Sequence, residues 1–369
     1  MESIILKEIS KLRNGKPMYG DFVNNRYCVD LLESDGSRTS YCFSTPVYKS
    51  GTNMLLEPAF LKDGEVIHME GSSAVVNIGR DISLRDKCGE VKIITDATYE
   101  YLSEDEVRCG DRHIYPSLNG ITCSEACGDG KDIRLNLEVN EPTQIRVNDK
   151  CFAFMLSQYT PLMTVSCIGG VDGNGIVAAP AVIDYEQTGE MSYELTIRTS
   201  SGCADSVLFE INMYEPKLFQ DTTVESNNPQ CNNAFGGTAF IGNTELYGEQ
   251  WLYIRPEMSK IADVSDENAA KAFLHLPAYQ MECQPLKIYS VSRRFCSFGS
   301  NWNNKVTSKL FSTGSITSNG YVSFDITEMY TDRALGYIVK PERRNGGFAC
   351  VSTGDNYCRP VILELRTKD

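Results

Sequence analysis

The most informative segment of the chain is Ile133-Arg134-Leu135-Asn136-Leu137-Glu138-Val139, in which apolar and polar residues alternate. Successive side chains of a β-strand point to opposite faces of the sheet, so this period of two indicates a strand with one buried and one wet face. Tyr193-Glu194-Leu195-Thr196-Ile197 repeats the pattern, and Val75-Val76-Asn77-Ile78 is one of many further β-rich runs. Turn signals such as Asp35-Gly36 and Asp63-Gly64 separate these runs. The pattern predicts an all-β protein.

The length of 369 residues predicts at least two hydrophobic cores, because a single core stops growing at roughly 250 residues. An acidic stretch near residues 103–110 and the segment Tyr214-Glu215-Pro216 mark candidate boundaries. We predict two or three β-sandwich or jelly-roll domains in tandem: an N-terminal β-rich domain at 1–105, a second β-sandwich-like domain at 106–214 and a third domain at 215–369. Helical periodicity is scarce, and its best case is an amphipathic turn or two between Ser3 and Leu12.

Charge and hydropathy narrow the partners and the localisation. The formal net charge of −14 repels phosphate backbones and anionic lipid headgroups, so neither nucleic acid nor a membrane surface is expected as a partner. The segment from Met1 to Arg13 lacks the apolar region of a signal peptide, and no run approaches the roughly 18 apolar residues of a membrane span. We therefore expect a protein that is cytoplasmic as synthesised and that would reach a spore, phage or cell surface by another route.

Fourteen cysteines are spread through the chain at irregular spacing, unlike those of a small secreted disulfide scaffold. Several stand inside apolar runs such as Tyr27-Cys28-Val29 and Tyr41-Cys42-Phe43. A thiol in that setting behaves as a small hydrophobic side chain. The pattern favours buried free thiols over disulfides, and it leaves the redox compartment open.

The spacing of possible metal-binding residues indicates two candidate metal sites, one for zinc and one for calcium. Cys109, His113, Cys123 and Cys127 offer two pairs of soft donors that would suit zinc, although the spacing is looser than in known zinc motifs. Calcium would find oxygens in Asp129 and Asp132 near Gly128 and Gly130, or in Asp172 and Asn174, but neither segment has EF-hand spacing. We favour a plain loop with free thiols or one disulfide over zinc, and plain turns over calcium, so no cofactor is expected.

No catalytic constellation stands out in the sequence. The three histidines, His68, His113 and His275, are far apart, and none accompanies a nucleophile motif such as Gly-x-Ser-x-Gly. His275 lies between Leu274 and Leu276 in a predicted strand, which indicates a structural role. The acidic residues show no spacing that marks a glycosidase pair. We therefore expect a protein that is not an enzyme.

Seven segments from Lys217 onward occur in the order found in a known β-module. They are Asp221-Thr222-Thr223-Val224, then 237–243 (GTAFIGN), 250–255 (QWLYIR), 270–276 (AKAFLHL), 302–307 (WNNKVT), 320–327 (GYVSFDIT) and 348–353 (FACVST), which leads to 361–365 (VILEL). This order resembles the DNRLRE module, a jelly-roll-like domain of bacterial and archaeal surface proteins, some with carbohydrate-binding relatives. The hexapeptide that names the family is absent. Residues 40–95 resemble, more weakly, the β-rich region that precedes such modules in wall-associated proteins.

Two functions follow as hypotheses. The first is a non-catalytic structural or assembly protein, a surface, spore, phage or filament subunit that associates with itself or with other surface proteins. The alternative is a module that binds a polysaccharide, since a flat aromatic ring matches the apolar face of a sugar. Trp251 is expected in the core. The candidate ligand-binding residues are Trp302, Asn301, Asn303, Tyr321 and Tyr330.

Overall fold

The computed structural model describes residues 4–18, 25–52, 54–95, 97–127, 132–140, 144–148, 150–172, 175–177, 182–198, 205–263, 269–281, 285–306, 308–317, 319–342 and 347–367. The chain forms two compact units. Unit 1 comprises Met1–Leu55, Pro216–Ala234 and Thr238–Asp369, and unit 2 comprises Leu56–Glu215 and Phe235–Gly237. Segments from both ends of the chain therefore build unit 1.

Strands dominate the described residues, which confirms the predicted all-β class. Ahead of residue 56 lie α1 (Ile4–Leu12), β1 (Cys28–Leu32) and β2 (Arg38–Phe43). Residues 56–215 form β3 (Ala59–Asp63), β4 (Val66–Glu70), β5 (Val75–Ile78), β6 (Ile82–Arg85), β7 (Glu90–Ile94), β8 (Tyr99–Ser103), β9 (Glu106–Cys109), β10 (Arg112–Ser117), β11 (Gly120–Ala126), β12 (Ile133–Val139), β13 (Gln144–Asn148), β14 (Cys151–Ser157), β15 (Thr160–Asp172), β16 (Gly175–Val177), β17 (Val182–Gln187), β18 (Ser192–Arg198) and β19 (Ser206–Met213).

The remaining elements belong to unit 1. They are β20 (Phe219–Glu225), β21 (Thr238–Thr244), β22 (Gly248–Pro256), β23 (Ala269–Met281), β24 (Leu286–Val291), β25 (Ser308–Thr313), β26 (Ser315–Thr317), β27 (Tyr321–Asp325), α2 (Thr327–Thr331), β28 (Tyr337–Pro341), β29 (Phe348–Ser352) and β30 (Ile362–Thr367). Short 3₁₀ helices occur at Met258–Ile261 and Trp302–Asn304.

Unit 2 is a sandwich of two antiparallel sheets. One sheet has the order β13-β14-β15-β19-β11-β10-β9-β8, with β16 on β15, and the other has the order β17-β18-β12-β7-β6-β5-β4-β3. In β12, the alternating side chains from Ile133 to Val139 are buried and exposed in strict turn, as the sequence predicts. The inner faces of the two sheets share one core, which includes Phe154 and Leu195. Burying each such side chain contributes about 1.5–3 kcal/mol to the stability of the fold.

Unit 1 is a second sandwich, and β23 runs through both of its sheets. The first part of β23 pairs with β27 and β30, whereas Ala278–Met281 pair with β29. We call the sheet β1-β2-β30-β23-β27-β26 the first sheet, and the sheet formed by β29, β21, β22, β28, β24 and β25, with β20 on β22, the second sheet. Leu274 and Leu363 from the first sheet and Ile254 and Ile288 from the second meet in one core.

Helix α1 belongs to unit 1 and buries one face. Ile5 and Ile9 are fully buried, and Glu8 accepts a hydrogen bond from the hydroxyl of Tyr321 in β27. The predicted amphipathic segment is therefore a helix whose apolar side is covered. In the described part of the chain, no helix combines the length and the apolar character needed to cross a membrane.

The compact units divide the chain differently from the three predicted segments. The boundary at 105/106 falls in the turn between β8 and β9, which pair with each other inside unit 2. The boundary at 214/215 lies next to the point where the chain re-enters unit 1. Residues up to 55 belong to unit 1 because β2 pairs with the last strand, β30. Such long-range pairing leaves no local sequence signal.

Candidate functional site

The four residues weighed as a zinc site do not converge. Cys109, His113 and Cys123 lie on the adjacent strands β9, β10 and β11, but strand alternation places His113 on the face opposite to the two cysteines. Ile114 and its partner Cys123 are buried in the core, so the neighbouring His113 points to the other face, where its Nδ1 lies 2.6 Å from Glu106 Oε1. Within the described residues, no three His, Cys, Asp or Glu side chains are arranged to hold a metal ion.

The cysteines of this segment are also poor metal ligands as they stand. Cys123 and Cys127 are buried in the apolar core of unit 2. Burial raises the pKa of Cys123 to about 12, which opposes the thiolate that zinc requires. Of the calcium candidates, residues 128–130 and Asn174 lie outside the described residues. Asp132 forms an ion pair with Arg198, in which Asp132 Oδ2 lies 3.7 Å from Arg198 Nε.

Tyr321 and Tyr330 are two of the three aromatic residues predicted to bind a ligand. Tyr321 is fully buried beneath α1, which removes it from any solvent-facing surface and corrects its assignment as a sugar-stacking residue. Tyr330, in α2, is half-buried against the core of unit 1. Burial raises the pKa of Tyr330 to about 12, so its phenol stays protonated.

Asn301, Trp302 and Asn303, three of the predicted ligand-binding residues, lie at the start of a 3₁₀ helix. The Asn301 side chain accepts hydrogen bonds from the backbone N–H groups of Asn303 (3.0 Å) and Asn304 (3.3 Å). The Asn304 side chain accepts in return from the backbone N–H of Asn301 (2.8 Å). This reciprocal capping box fixes the backbone on both sides of Trp302. Asn301 therefore positions Trp302, and its oxygen is engaged within the turn.

Trp302 packs against Trp251, and these are the two tryptophans of the chain. Their ring centroids are 5.0 Å apart and the rings are inclined at 53°. Both side chains are half-buried. The expectation that Trp251 lies in the core is wrong, because Leu252 and Ile254 fill the core and alternation turns Trp251 outward.

Lysine side chains complete this surface. Lys305 Nζ lies 3.3 Å from the ring centroid of Trp302 and 4.8 Å from that of Trp251. Lys340 Nζ, from β28, lies 4.7 Å from the Trp251 ring and 4.2 Å from the Tyr289 ring. Contacts of this kind contribute about 0.5–1 kcal/mol each at exposed sites. We call these five residues, Trp251, Tyr289, Trp302, Lys305 and Lys340, the tryptophan cluster.

The tryptophan cluster rests on a small hydrophobic core on the outer face of the second sheet. Tyr253 and Ile338 project from the sheet. Phe295 and Val306, from the loop between β24 and β25, cover them. The Tyr253 and Phe295 rings meet edge to face at 5.5 Å. The loop is thereby fixed to the sheet, and Trp302 is held over Trp251. Sequence reasoning missed Lys305 and Lys340. The alternation in β28 could have shown that Lys340 faces outward, whereas Lys305 lies in a loop, where no alternation applies.

A row of three polar side chains crosses the first sheet. His275 Nδ1 lies 2.8 Å from Ser323 Oγ, and His275 Nε2 lies 3.0 Å from Glu364 Oε2. These residue types also form hydrolase triads. Here, however, they stand in regular register on neighbouring strands, without the sharp strand-to-helix turn that exposes a nucleophile. The row satisfies the hydrogen-bonding groups of a nearly buried histidine, in keeping with a structural role.

Comparison with known proteins assigns no family to this chain. No family model and no curated protein matches its sequence. Among solved structures, the chain is similar to a heparinase III, the BT4657 gene product with methylated lysines, at 10% sequence identity and a TM-score of 0.19. The match covers 68% of this chain and 45% of the heparinase chain, so it spans less than half of that protein. A TM-score at this level carries no argument about function.

Proposed function

We propose that the protein is a non-catalytic glycan-binding protein and that the tryptophan cluster of unit 1 is its binding surface. The observation that carries the proposal is the Trp251–Trp302 pair, which is half-buried on the outer face of a sheet. Large aromatic rings that remain in contact with water offer a flat apolar surface, and the apolar face of a pyranose is its complement. The resemblance of the segments after Lys217 to the DNRLRE module favours the same function.

The neighbouring polar groups suit a sugar ligand. Lys305 and Lys340 hold ammonium donors over the tryptophan rings, and Asn303 is exposed beside Trp302. A pyranose combines an apolar face with a rim of hydroxyl groups, so it needs a ring surface and hydrogen-bond partners together. Because lysine stems are flexible, the ammonium groups can exchange ring contacts for hydroxyl contacts when a sugar arrives.

The two tryptophans also provide a built-in probe. Since the chain has no others, its tryptophan fluorescence reports on this surface alone. We expect soluble polysaccharides of the correct class to change the emission in a saturable manner. Trp302→Ala should weaken binding roughly tenfold, which corresponds to about 1.4 kcal/mol, and Trp302→Phe should retain part of the affinity.

The matched control is Tyr159→Ala, which removes an exposed aromatic ring from unit 2. It should leave glycan binding unchanged. The proposal fails if no member of a broad polysaccharide panel alters the emission, or if Trp302→Ala binds as tightly as the unmodified protein while its thermal unfolding is unchanged.

A second candidate function is assembly of a surface, spore, phage or filament structure. It is favoured by apolar side chains on the outer face of the eight-stranded sheet, at its β3 end. Leu61, Val66 and Val75 are each more than one third exposed there. Apolar residues near a sheet edge promote association between chains. Light scattering with and without reductant tests this: a monomer of 41.1 kDa argues against assembly, and Leu61→Lys should dissociate an oligomer.

A further inference from the structure

Unit 1 contains a second feature, a pocket at the opposite end of strand β22 from the tryptophan cluster. Its volume is about 960 Å³. Arg255 at the end of β22, Arg294 from the loop after β24 and Arg333 after α2 contribute to its lining, together with Tyr330. Trp251 and Arg255 are four residues apart in one strand, which places their backbones about 13 Å apart. The pocket is therefore distinct from the proposed glycan surface.

The charge of the pocket is opposite to that of the whole chain. Among the described residues, its lining includes three arginines and one acidic residue, Glu257, which together carry a charge of +2. The chain as a whole carries −14. A basic pocket in an acidic protein attracts a compact anion and leaves extended polyanions to be repelled by the remaining surface. The charge of +2 matches a dianion better than a single carboxylate.

We propose that this pocket binds a ligand through a doubly charged oxyanion, a phosphate or sulfate group. Guanidinium groups present planar pairs of N–H donors that match the oxygens of such a group. Because this site shares no residue with the tryptophan cluster, the proposal does not rest on the proposed glycan binding.

Arg255 is held in place before any ligand arrives. Its Nη2 donates to Glu257 Oε1 at 2.9 Å and to the side chain of Gln220 across the β20–β22 pair. Only 16% of the Arg255 side chain is exposed, so much of its rotamer entropy is already lost in the protein. The neutral phenol of Tyr330 adds a hydrogen-bond donor at the wall of the same pocket.

The backbone at Arg333 provides an independent indication. Arg333 has a φ of +53°, the left-handed conformation that commonly ends a helix and that glycine adopts without strain. The backbone N–H groups of Arg333 and Ala334 donate to the carbonyls of Tyr330 and Met329, each at 3.0 Å, and close the end of α2. A side chain at such a position costs about 1 kcal/mol. The chain places an arginine at this strained position, on the wall of the pocket.

This geometry gives a variant that separates binding from folding. Arg333→Gly removes the guanidinium and relieves the backbone strain, and a thermal melt of the variant confirms that it is folded. Arg294→Ala removes a second charge from the pocket. The control is Arg293→Ala, which removes the same charge one residue away, from a side chain outside the pocket lining.

The test is titration calorimetry of the full chain with inorganic phosphate, inorganic sulfate and glucuronate at low ionic strength. We expect saturable binding of phosphate or sulfate, with glucuronate weaker. Arg333→Gly and Arg294→Ala should each weaken that binding at least tenfold, by about 1.4 kcal/mol, and Arg293→Ala should change it little. The tighter of the two inorganic anions identifies the ester that the natural ligand carries.

Three results would overturn the proposal. They are no saturable heat up to about 10 mM of either dianion, equal losses in Arg293→Ala and Arg294→Ala, or full binding by a folded Arg333→Gly protein. Lys305→Ala is the control that distinguishes this pocket from the tryptophan cluster. It alters the tryptophan cluster and should leave phosphate and sulfate binding intact, so failure of one proposed site is distinguishable from failure of the other.

Discussion

Cys28 lies directly opposite Cys42 across strands β1 and β2, and both side chains are fully buried. The backbone N–H of Phe43 donates to the carbonyl of Tyr27 at 2.8 Å, so the adjacent Cys28–Cys42 pair is a non-hydrogen-bonded one. In such pairs the Cα atoms approach to about 4.5 Å, within the range that a disulfide spans. Burial and then the hydrogen bond with Cys42 raise the pKa of Cys28 well above its ordinary value.

We expect Cys28 and Cys42 to resist alkylation in the folded protein, because both side chains are shielded from the reagent and the raised pKa of Cys28 makes its reactive thiolate scarce. Cys296 is exposed and should react with iodoacetamide at a rate close to that of a free thiol. Peptide mass spectrometry after timed labelling measures both rates, and labelling in denaturant provides the fully reactive reference. Equal rates for Cys28 and Cys296 under native conditions would contradict the buried placement.

Asp221 should make the stability of unit 1 fall as pH rises. Burial raises the pKa of Asp221 to about 7, against the opposing effect of the Lys217 charge. The carboxyl has a pKa of about 3.9 when unfolded, so the folded state holds the extra proton between about pH 4 and pH 7. Stability contributed by that proton is lost as pH rises through this window.

Asp221→Asn removes this titration, so the variant should gain about 1–3 kcal/mol relative to the unmodified protein between pH 5 and pH 8. Denaturant unfolding at the two pH values measures the difference. Asp63→Asn, at the exposed end of β3 in unit 2, is the control for replacing a surface carboxylate and should change the free energy of unfolding little. A constant gap between the Asp221 variant and the unmodified protein would show that Asp221 does not titrate in this range.

Glu364 should make the stability of unit 1 fall as the pH decreases, the opposite of the effect of Asp221. Burial alone would raise the pKa of Glu364, but the hydrogen bond and charge of His275, with Arg366, hold the pKa below its ordinary value. A carboxylate with a lowered pKa stabilises the fold above its unfolded pKa of about 4.3, and that stability is lost as pH falls through the folded value. We expect Tm to decline below about pH 4.

Glu364→Gln keeps the shape of the side chain but leaves His275 without its charged partner. It should cost about 3 kcal/mol at pH 6 and reduce the steepness of the acid decline. Thermal melts between pH 3 and pH 7 provide the measurement. An unchanged acid profile in the variant would assign the decline to other carboxylates.

Gly71 should tolerate no side chain. It has a φ of +71°, and an added Cβ would lie 1.9 Å from the carbonyl oxygen of Glu57. Gly64 has a similar φ of +61° but open space around it. Gly64→Ala therefore carries only the conformational cost, and Gly71→Ala should destabilise the protein by about 2 kcal/mol more. Chemical denaturation of both variants measures the difference, and equal losses would contradict the close approach to Glu57.

The sequence predicted local structure well and the candidate site in part. The alternation from Ile133 to Val139 and the helix near Leu12 are both present. Trp302 is half-buried and packs against Trp251, whereas its polar neighbours in the sequence indicated an exposed ring. Tyr321 failed as a surface residue because Glu8, from a helix more than 300 residues earlier in the chain, covers it. No local pattern identifies a covering element that comes from so far away.

What the sequence determined by itself is the strand character of its segments and the face that each strand buries, because both follow from the alternation of side chains along a single strand. The tertiary structure decided which strands share a sheet, as in the pairing of β2 with β30. It also brought Trp302 to Trp251 and placed Arg255, Arg294 and Arg333 around one pocket. These relationships depend on burial between distant segments, and the entropy of closing the intervening loops rises only slowly with their length.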